Sequence, residues 1–295
     1  MFGRLTRSHL SLLVAFSALA GYFFHPANPS SVSAGLLFVG VWLISAGASA
    51  LNQAQEKDID ARMARTRNRP LVTGRLTLPS GLLIALVLIA GGFLFLVATG
   101  ERQVVLLGLF SLFWYNGVYT HLKKVTPFAV LPGALCGALP PVMGWVMAGG
   151  GIADYPIMML AAIIVLWQVP HFWLLALAYP EDARKSGLPD LFSRIRPEQL
   201  RRLSIIWILA LLAGICCVNL AGLLQTDLSR MGVAIAVLLM AGALFRFHRR
   251  ELEPVASISL FVQLNMFMTL WLVVIAVDRF TVLSTVSTIL LTSLG

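Results

Sequence analysis

The chain has 295 residues, 58% of them hydrophobic and only 12% charged, with a mean hydropathy of +0.85. Soluble domains are nearer half apolar and a quarter charged, so this composition excludes a soluble fold and marks an integral membrane protein. The formal net charge of +9 invites a nucleic-acid reading, but the placement of the charges between apolar segments explains it better, and no nucleic-acid partner is expected.

Nine apolar segments approach the ~20 residues that cross hydrocarbon. They cover 9–25, 32–53, 78–98, 102–120, 128–148, 156–178, 202–224, 230–247 and 257–277. The expected fold is therefore all-α, a polytopic membrane bundle of about nine transmembrane helices forming a single domain over 1–295. The first segment resembles a signal peptide, with Arg4 and Arg7 before it and Ala18-Leu19-Ala20 within it. Eight further spans make a retained helix the expectation. Counted by loop, 19 of the 22 lysines and arginines lie on one side, leaving Arg102, Arg230 and Arg279 on the other. The positive-inside rule then places the N-terminus in the cytoplasm and the C-terminus outside.

The loop after the second span carries the densest charge. Between Asn52 and Arg75 it holds Glu56, Asp58 and Asp60 together with six basic residues. Asn52, Glu56 and Asp60 step by four, so a helix continuing through them stacks three oxygen donors on one face. Arg65 and Arg69 repeat the step. Carboxylates take magnesium and arginines fork onto phosphate oxygens, which suits a metal-bound diphosphate. A solvated basic loop is the alternative; it explains the arginines but not the acids.

In the fourth span Tyr115, Tyr119 and Lys123 also step by four. They read either as an interfacial aromatic belt with a snorkelling lysine or as phosphate ligands. Pro132, Gly133, Gly137, Pro140, Pro141 and Gly144 break up the fifth span, giving either a thin helix beside a bulky ligand or a close packing surface. His171 lies in the sixth span among Trp167, Phe172 and Trp173, as a core residue or as a haem ligand. The loop beyond it, with Tyr179, Glu181, Asp182, Arg184 and Lys185, repeats the composition of the first charged loop on the same face. The pair suggests two half-sites closing on one ligand, with room for two metal ions. Asn219, Gln263 and Asn265 are expected to bond between helices, and Asp278 to be interfacial. Cys136, Cys216 and Cys217 show no metal or disulfide spacing and read as small buried residues.

Four stretches together resemble the UbiA-type membrane prenyltransferases, and most closely their haem o synthase branch. They are Asn52-x3-Glu56-x-Asp58-Ile-Asp60-x2-Met63-x-Arg65-Thr66-x2-Arg69-Pro70-Leu71, Tyr119-Thr-x2-Lys123-Lys124-x-Thr126-Pro127, Gly137-Ala-Leu-Pro140-Pro141-x2-Gly144-Trp145 and Trp167-Gln-x-Pro170-His171-Phe172. Tyr179-x2-Asp182-x4-Gly187 is similar to the family's second acidic motif. The resemblance implies a helical bundle around a cavity with both acidic loops at its cytoplasmic mouth. It implies farnesyl transfer from farnesyl diphosphate to a vinyl group of haem b, giving haem o, with Mg2+ as cofactor and haem b as substrate. Asn52, Glu56 and Asp60 would then hold magnesium and diphosphate, and Arg65, Arg69 and Lys123 the diphosphate. Tyr119, Tyr179 and Asp182 would line the substrate site, Asp182 would also join Glu56 and Asp60 as a metal ligand from the second motif, and His171 would face the haem. The expected location is the bacterial cytoplasmic (inner) membrane, with the lipid bilayer and a downstream haem a synthase or terminal oxidase as partners. Glu56 stands where the family most often has Asp, and Lys185 and Ser186 stand where other branches place a second acid. A UbiA-type enzyme acting on a quinone precursor or chlorin, and a carrier for an anionic metabolite, are the rival readings.

Overall fold

The computed structural model describes residues 1–26 and 30–293, the side chains at 183, 280 and 282–293 excepted. The C-terminal end at Gly295, assigned to the outer side from the charge pattern, lies outside the described residues. In chain order the helices are α1 (Phe2–Leu5), α2 (Ser8–Phe24), α3 (Ser31–Gln55), α4 (Lys57–Asp60), α5 (Leu78–Ala98) and α6 (Arg102–Leu112). A π-helical stretch, Phe113–Tyr119, leads into α7 (Thr120–Leu122). Then come α8 (Val130–Gly133), α9 (Leu135–Met147), α10 (Tyr155–Ala178), α11 (Pro180–Lys185), α12 (Pro197–Leu220), α13 (Asp227–Arg249) and α14 (Pro254–Ser293). No strand occurs among the described residues.

Every predicted span is helical. Among the described residues, seven runs are long and apolar enough to cross a bilayer: α3, α5, the joined α8–α9 run, α10, α12, α13 and Pro254–Arg279 of α14. The first span is shorter, the 17 residues of α2, and the fourth is divided among α6, the π stretch and α7. The protein is thus a multi-pass membrane protein. Its helices start where local chemistry satisfies the orphan N–H groups. The Ser30 and Thr77 hydroxyls accept from Ser33 and Ser80 N–H, and prolines occupy the first turns of α5, α10 and α12. Leu82, Leu83, Leu86 and Val87 on α5, and Ile235, Leu238 and Leu239 on α13, are exposed and face the hydrocarbon.

The closest helix pairs are α3 with α5, α2 with α9, and α10 with α12. α2, the segment resembling a signal peptide, is built into the core through Ala15, Ala18 and Tyr22. The glycines of the fifth span serve close packing. In its C-terminal half a Cβ on Gly144 would lie 1.9 Å from the Ala18 carbonyl oxygen, so α2 and α9 touch backbone to backbone. In its other half Gly133 gives way to the Tyr119 ring and Gly137 to the Gln168 amide.

Several polar expectations resolve differently. Asn219 bonds across to Arg230 O and Asn265 to His171, but Gln263 reaches only Ser259 on its own helix, because four residues separate them on one face. Asp278 is buried rather than interfacial; it accepts from Gln225 N–H, Thr226 N–H and the Thr226 hydroxyl, capping α13. The cysteines are free, but Cys216 and Cys217 are exposed on α12 and Cys136 is half-buried. Lipid serves as well as protein to shelter a thiol, so burial inside the bundle was the wrong expectation for that pair.

Candidate active site

Apolar α3 runs unbroken to Gln55, and the site begins at the next residue. Glu56 leaves helical geometry (φ −118°, ψ 12°) and one further turn, α4, carries Asp60. The i→i+4 backbone bonds nonetheless continue through the break, from Glu56 N–H to Asn52 O at 3.0 Å and from Asp60 N–H to Glu56 O at 2.8 Å. Asn52, Glu56 and Asp60 therefore stay one turn apart on one face, and all three are buried, at 3%, 6% and 1% exposure.

Two buried carboxylates need countercharges, and each has its own. Asp60 pairs with Arg69 from the loop that follows it, where the Thr66 hydroxyl also donates to Asp60 O at 2.9 Å. Glu56 pairs with Lys123, delivered from the fourth span. The Lys123 ammonium lies 5.2 Å from the Tyr119 ring centroid, and Tyr119 stacks on Tyr115 at 5.9 Å. Burial lowers the Lys123 pKa below the ordinary lysine value, and the Glu56 carboxylate opposes that shift. Arg65 still reaches solvent, yet desolvation by the surrounding protein and the like charges of Arg7 and Arg69 lower its pKa, against Asp182 and Tyr179.

Asp182, at the start of α11, joins the two charged loops. Its Oδ1 accepts from Ala64 N–H at 2.9 Å and its Oδ2 from Arg65 N–H at 3.3 Å. Arg62 lies against Gly187, whose φ of +73° only glycine adopts readily. Glu181 stays on the surface of α11 with Arg184 and Lys185. The second loop thus meets the first through one carboxylate, and Tyr179 stands exposed beside it.

His171 lies on α10, within reach of the Arg65 charge but outside the ion pairs of that cluster. Its ring contacts Trp167, Phe172 and Phe261, and its Nδ1 lies 2.8 Å from Asn265 Oδ1 on α14. Asn265 Nδ2 donates to Phe261 O at 2.6 Å, which fixes Oδ1 as the acceptor and Nδ1–H as the donor. The Nε2 lone pair is then available to a ligand.

Among the described residues no three acids, histidines or cysteines converge as a ready-made metal cluster. The donor set still fits a hard divalent ion. Magnesium usually takes one or two carboxylates and completes its shell with water and substrate phosphate, which Asn52, Glu56 and Asp60 on one face can support. Asp182 spends both oxygens on backbone donors.

Residue patterns alone missed some participants. Arg7 is the one described non-glycine residue with positive φ (49°), a backbone cost of about 1–3 kcal/mol. Gln53 Nε2 donates to Arg4 O and Leu5 O, holding that turn beside α3 one turn before Glu56. Gln55, Asn116 and Thr120 also bridge the second and fourth spans. The signal was present, since Asn116 and Thr120 are polar residues inside an apolar span.

Comparison with known proteins bears on the family and the fold. The sequence profile of the UbiA prenyltransferase family matches residues 14–273. A protoheme IX farnesyltransferase of Geobacter sulfurreducens is 40% identical over 240 residues, 80% of this chain and 87% of its own. One from Oleidesulfovibrio alaskensis is 37% identical, covering 79% and 82%. Among solved structures, a digeranylgeranylglyceryl phosphate synthase superposes with a TM-score of 0.76 at 14% identity, over 95% of this chain and 98% of that one. A UbiA homologue from Archaeoglobus fulgidus bound to DMAPP and Mg2+ gives 0.69 at 17% identity, over 94% and 98%.

Proposed function

The chain belongs to the UbiA prenyltransferase family, and on that footing we propose that it transfers the farnesyl group of farnesyl diphosphate to a vinyl group of haem b, giving haem o and diphosphate. The product serves haem-copper terminal oxidases. One observation carries the site assignment: two buried carboxylates, Glu56 and Asp60, are each matched to a cation at one mouth of an apolar bundle. Residues 1–295 are read as one integral-membrane prenyltransferase domain in the bacterial cytoplasmic membrane, with that mouth on the cytoplasmic side, as the 19-to-3 split of basic residues supports.

Arg65, Arg69 and Lys123 bind the diphosphate, and Asn52, Glu56 and Asp60 would hold Mg2+. When bound, the ion supplies further neutralisation of the departing diphosphate. The C1–O bond of the farnesyl group breaks with its electron pair leaving on diphosphate, as guanidinium and ammonium groups stabilise the charge that develops there. Tyr115 and Tyr119 present ring faces to the allylic cation, and the apolar walls exclude water that would quench it. The vinyl π pair then attacks C1, and the cation this leaves on the former vinyl carbon beside the porphyrin ring takes one water and releases a proton, which gives the hydroxyl of haem o. His171, held by Asn265, orients the haem. The bilayer, and a haem a synthase or terminal oxidase downstream, are the partners this reading implies. The test is to incubate purified protein with haem b, farnesyl diphosphate and Mg2+, and to follow haem mass and diphosphate release. Farnesylated haem is expected. Prenylation of an aromatic acid in its place, or no diphosphate release, would overturn the proposal.

A further inference from the structure

The π-helical stretch in the fourth span lies directly before the residues that meet Glu56. A π turn holds one residue more than an α turn, so everything after it is rotated by about 100° relative to an unbroken α-helix. Such a turn persists only where something outside the helix ties it down.

Here the ties come from α3, in three successive contacts. Asn116, 5% exposed, donates from Nδ2 to Ala48 O and to Gln55 Oε1, each at 3.1 Å. Gln55 Nε2 donates back to Asn116 O at 3.1 Å, so side chain and main chain of Asn116 are both held. One turn on, Asn52 Nδ2 donates to Thr120 Oγ1 at 3.1 Å, and that hydroxyl donates to Tyr115 O at 2.9 Å. The last contact is the Glu56–Lys123 pair. Gln55 and Glu56 are adjacent, so the residue that grips the π turn is the neighbour of the residue that receives Lys123. Asn116 Oδ1 is buried with no hydrogen-bond partner among the described residues.

We propose that Asn116, with Gln55 as its partner, is a positioning residue that fixes the π-helical register and so delivers Lys123 to the prenyl diphosphate. The inference rests on the reading of Lys123 as a diphosphate ligand. A plain packing role would affect both substrates alike, whereas a register role acts through Lys123 alone.

The experiment is a double-mutant cycle on the full-length protein in detergent, with KM for farnesyl diphosphate, KM for haem b, kcat and Tm measured for each variant. Asn116→Leu is made in the wild-type and Lys123→Ala backgrounds. Gln55→Met, which leaves Asn116 in place, is made in the same two backgrounds and decides the question if the leucine variant cannot be purified. Either substitution should raise KM for farnesyl diphosphate about ten-fold, with KM for haem b unchanged, and should add almost nothing once Lys123 is alanine. Undiminished loss in the Lys123→Ala background, equal rises in both KM values, or no loss at all would overturn the proposal. Lys123→Ala with wild-type kinetics would instead remove the diphosphate reading of Lys123, and the positioning role with it.

Discussion

At His171 the hydrogen-bond pattern admits a single neutral tautomer. Because Asn265 Nδ2 is committed to Phe261 O, its Oδ1 must accept, the imidazole proton sits on Nδ1, and Nε2 keeps its lone pair. Asn265→Leu removes the orienting acceptor, and one neutral hydrogen bond is worth about 0.5–1.5 kcal/mol. Haem b affinity should fall several-fold with a shift in the haem absorption bands, and Asn265→Asp, which keeps the acceptor, should restore both. An unchanged spectrum and affinity would remove His171 from the haem. Arg69 serves two partners, since it neutralises Asp60 and is assigned to the diphosphate. Arg69→Gln leaves a carboxylate of 1% exposure unpaired and should cost about 3–5 kcal/mol of stability. Arg69→Lys keeps the charge but not the planar fork; it should fold normally and lose roughly ten- to a hundred-fold in kcat/KM for farnesyl diphosphate. Equal Tm values for the two variants would contradict the buried pair.

The α2–α9 contact is the element on which the end of the bundle away from the paired acids depends. A Cβ at position 144 would meet the Ala18 backbone, which cannot give way as a side chain would, whereas Gly232 on α13 faces open space. Gly144→Ala should therefore cost about 1–3 kcal/mol, seen as a lower Tm in detergent, while Gly232→Ala should be neutral or stabilising by up to about 1 kcal/mol. The same corner carries a pH dependence. Trp145 Nε1–H donates to Asp154 Oδ2 at 2.9 Å and Gly151 N–H at 2.7 Å, and these bonds hold the Asp154 carboxyl below its usual range. A lowered carboxylate pKa stabilises the fold above the unfolded value of 3.8, and that contribution is lost as pH falls through the folded value. Trp145→Phe should flatten the acid limb of the Tm–pH curve; an unaltered limb would assign it elsewhere. The nine spans were legible because hydropathy registers what faces lipid, and the four-residue step of Asn52, Glu56 and Asp60 was legible because backbone bonds carry it through the break at Glu56. The break itself was not, since Gln55, Glu56 and Lys57 hold no glycine or proline to mark it. Nor was the π turn, which depends on Gln55 and Asn116 meeting across two helices 61 residues apart in sequence. Asp182 was legible as an acid of the second loop but not as the bond that ties it to Ala64 and Arg65.

Across the whole molecule, charge and chemistry share one end. The paired acids, their cations and both large basic loops gather at one mouth, while the opposite end holds Arg279, Asp154, Asp278 and His25 around a cavity of about 470 Å³ lined by aromatic residues. By the positive-inside rule that asymmetry would orient the chain during insertion, because moving Lys- and Arg-rich loops across the bilayer is disfavoured and nineteen of the 22 basic residues lie on one side. It also matches the substrates. On the function proposed above, the diphosphate head would bind at the charged end and the prenyl tail would continue into the apolar bundle beside Tyr115 and Tyr119. A reporter that is active only in the cytoplasm, fused after Arg75 or Arg196, should therefore be active, and one fused after Gly150 or Gly295 silent. Removing the bias tests the cause. Neutralising Arg62, Arg67 and Arg75, which make no ion pair with an acid among the described residues, should weaken the preference without touching Asp60, Glu56 or their partners. A reporter after Gly150 that is active in the unaltered chain would refute the orientation, and with it the placement of the diphosphate site on the cytoplasmic side.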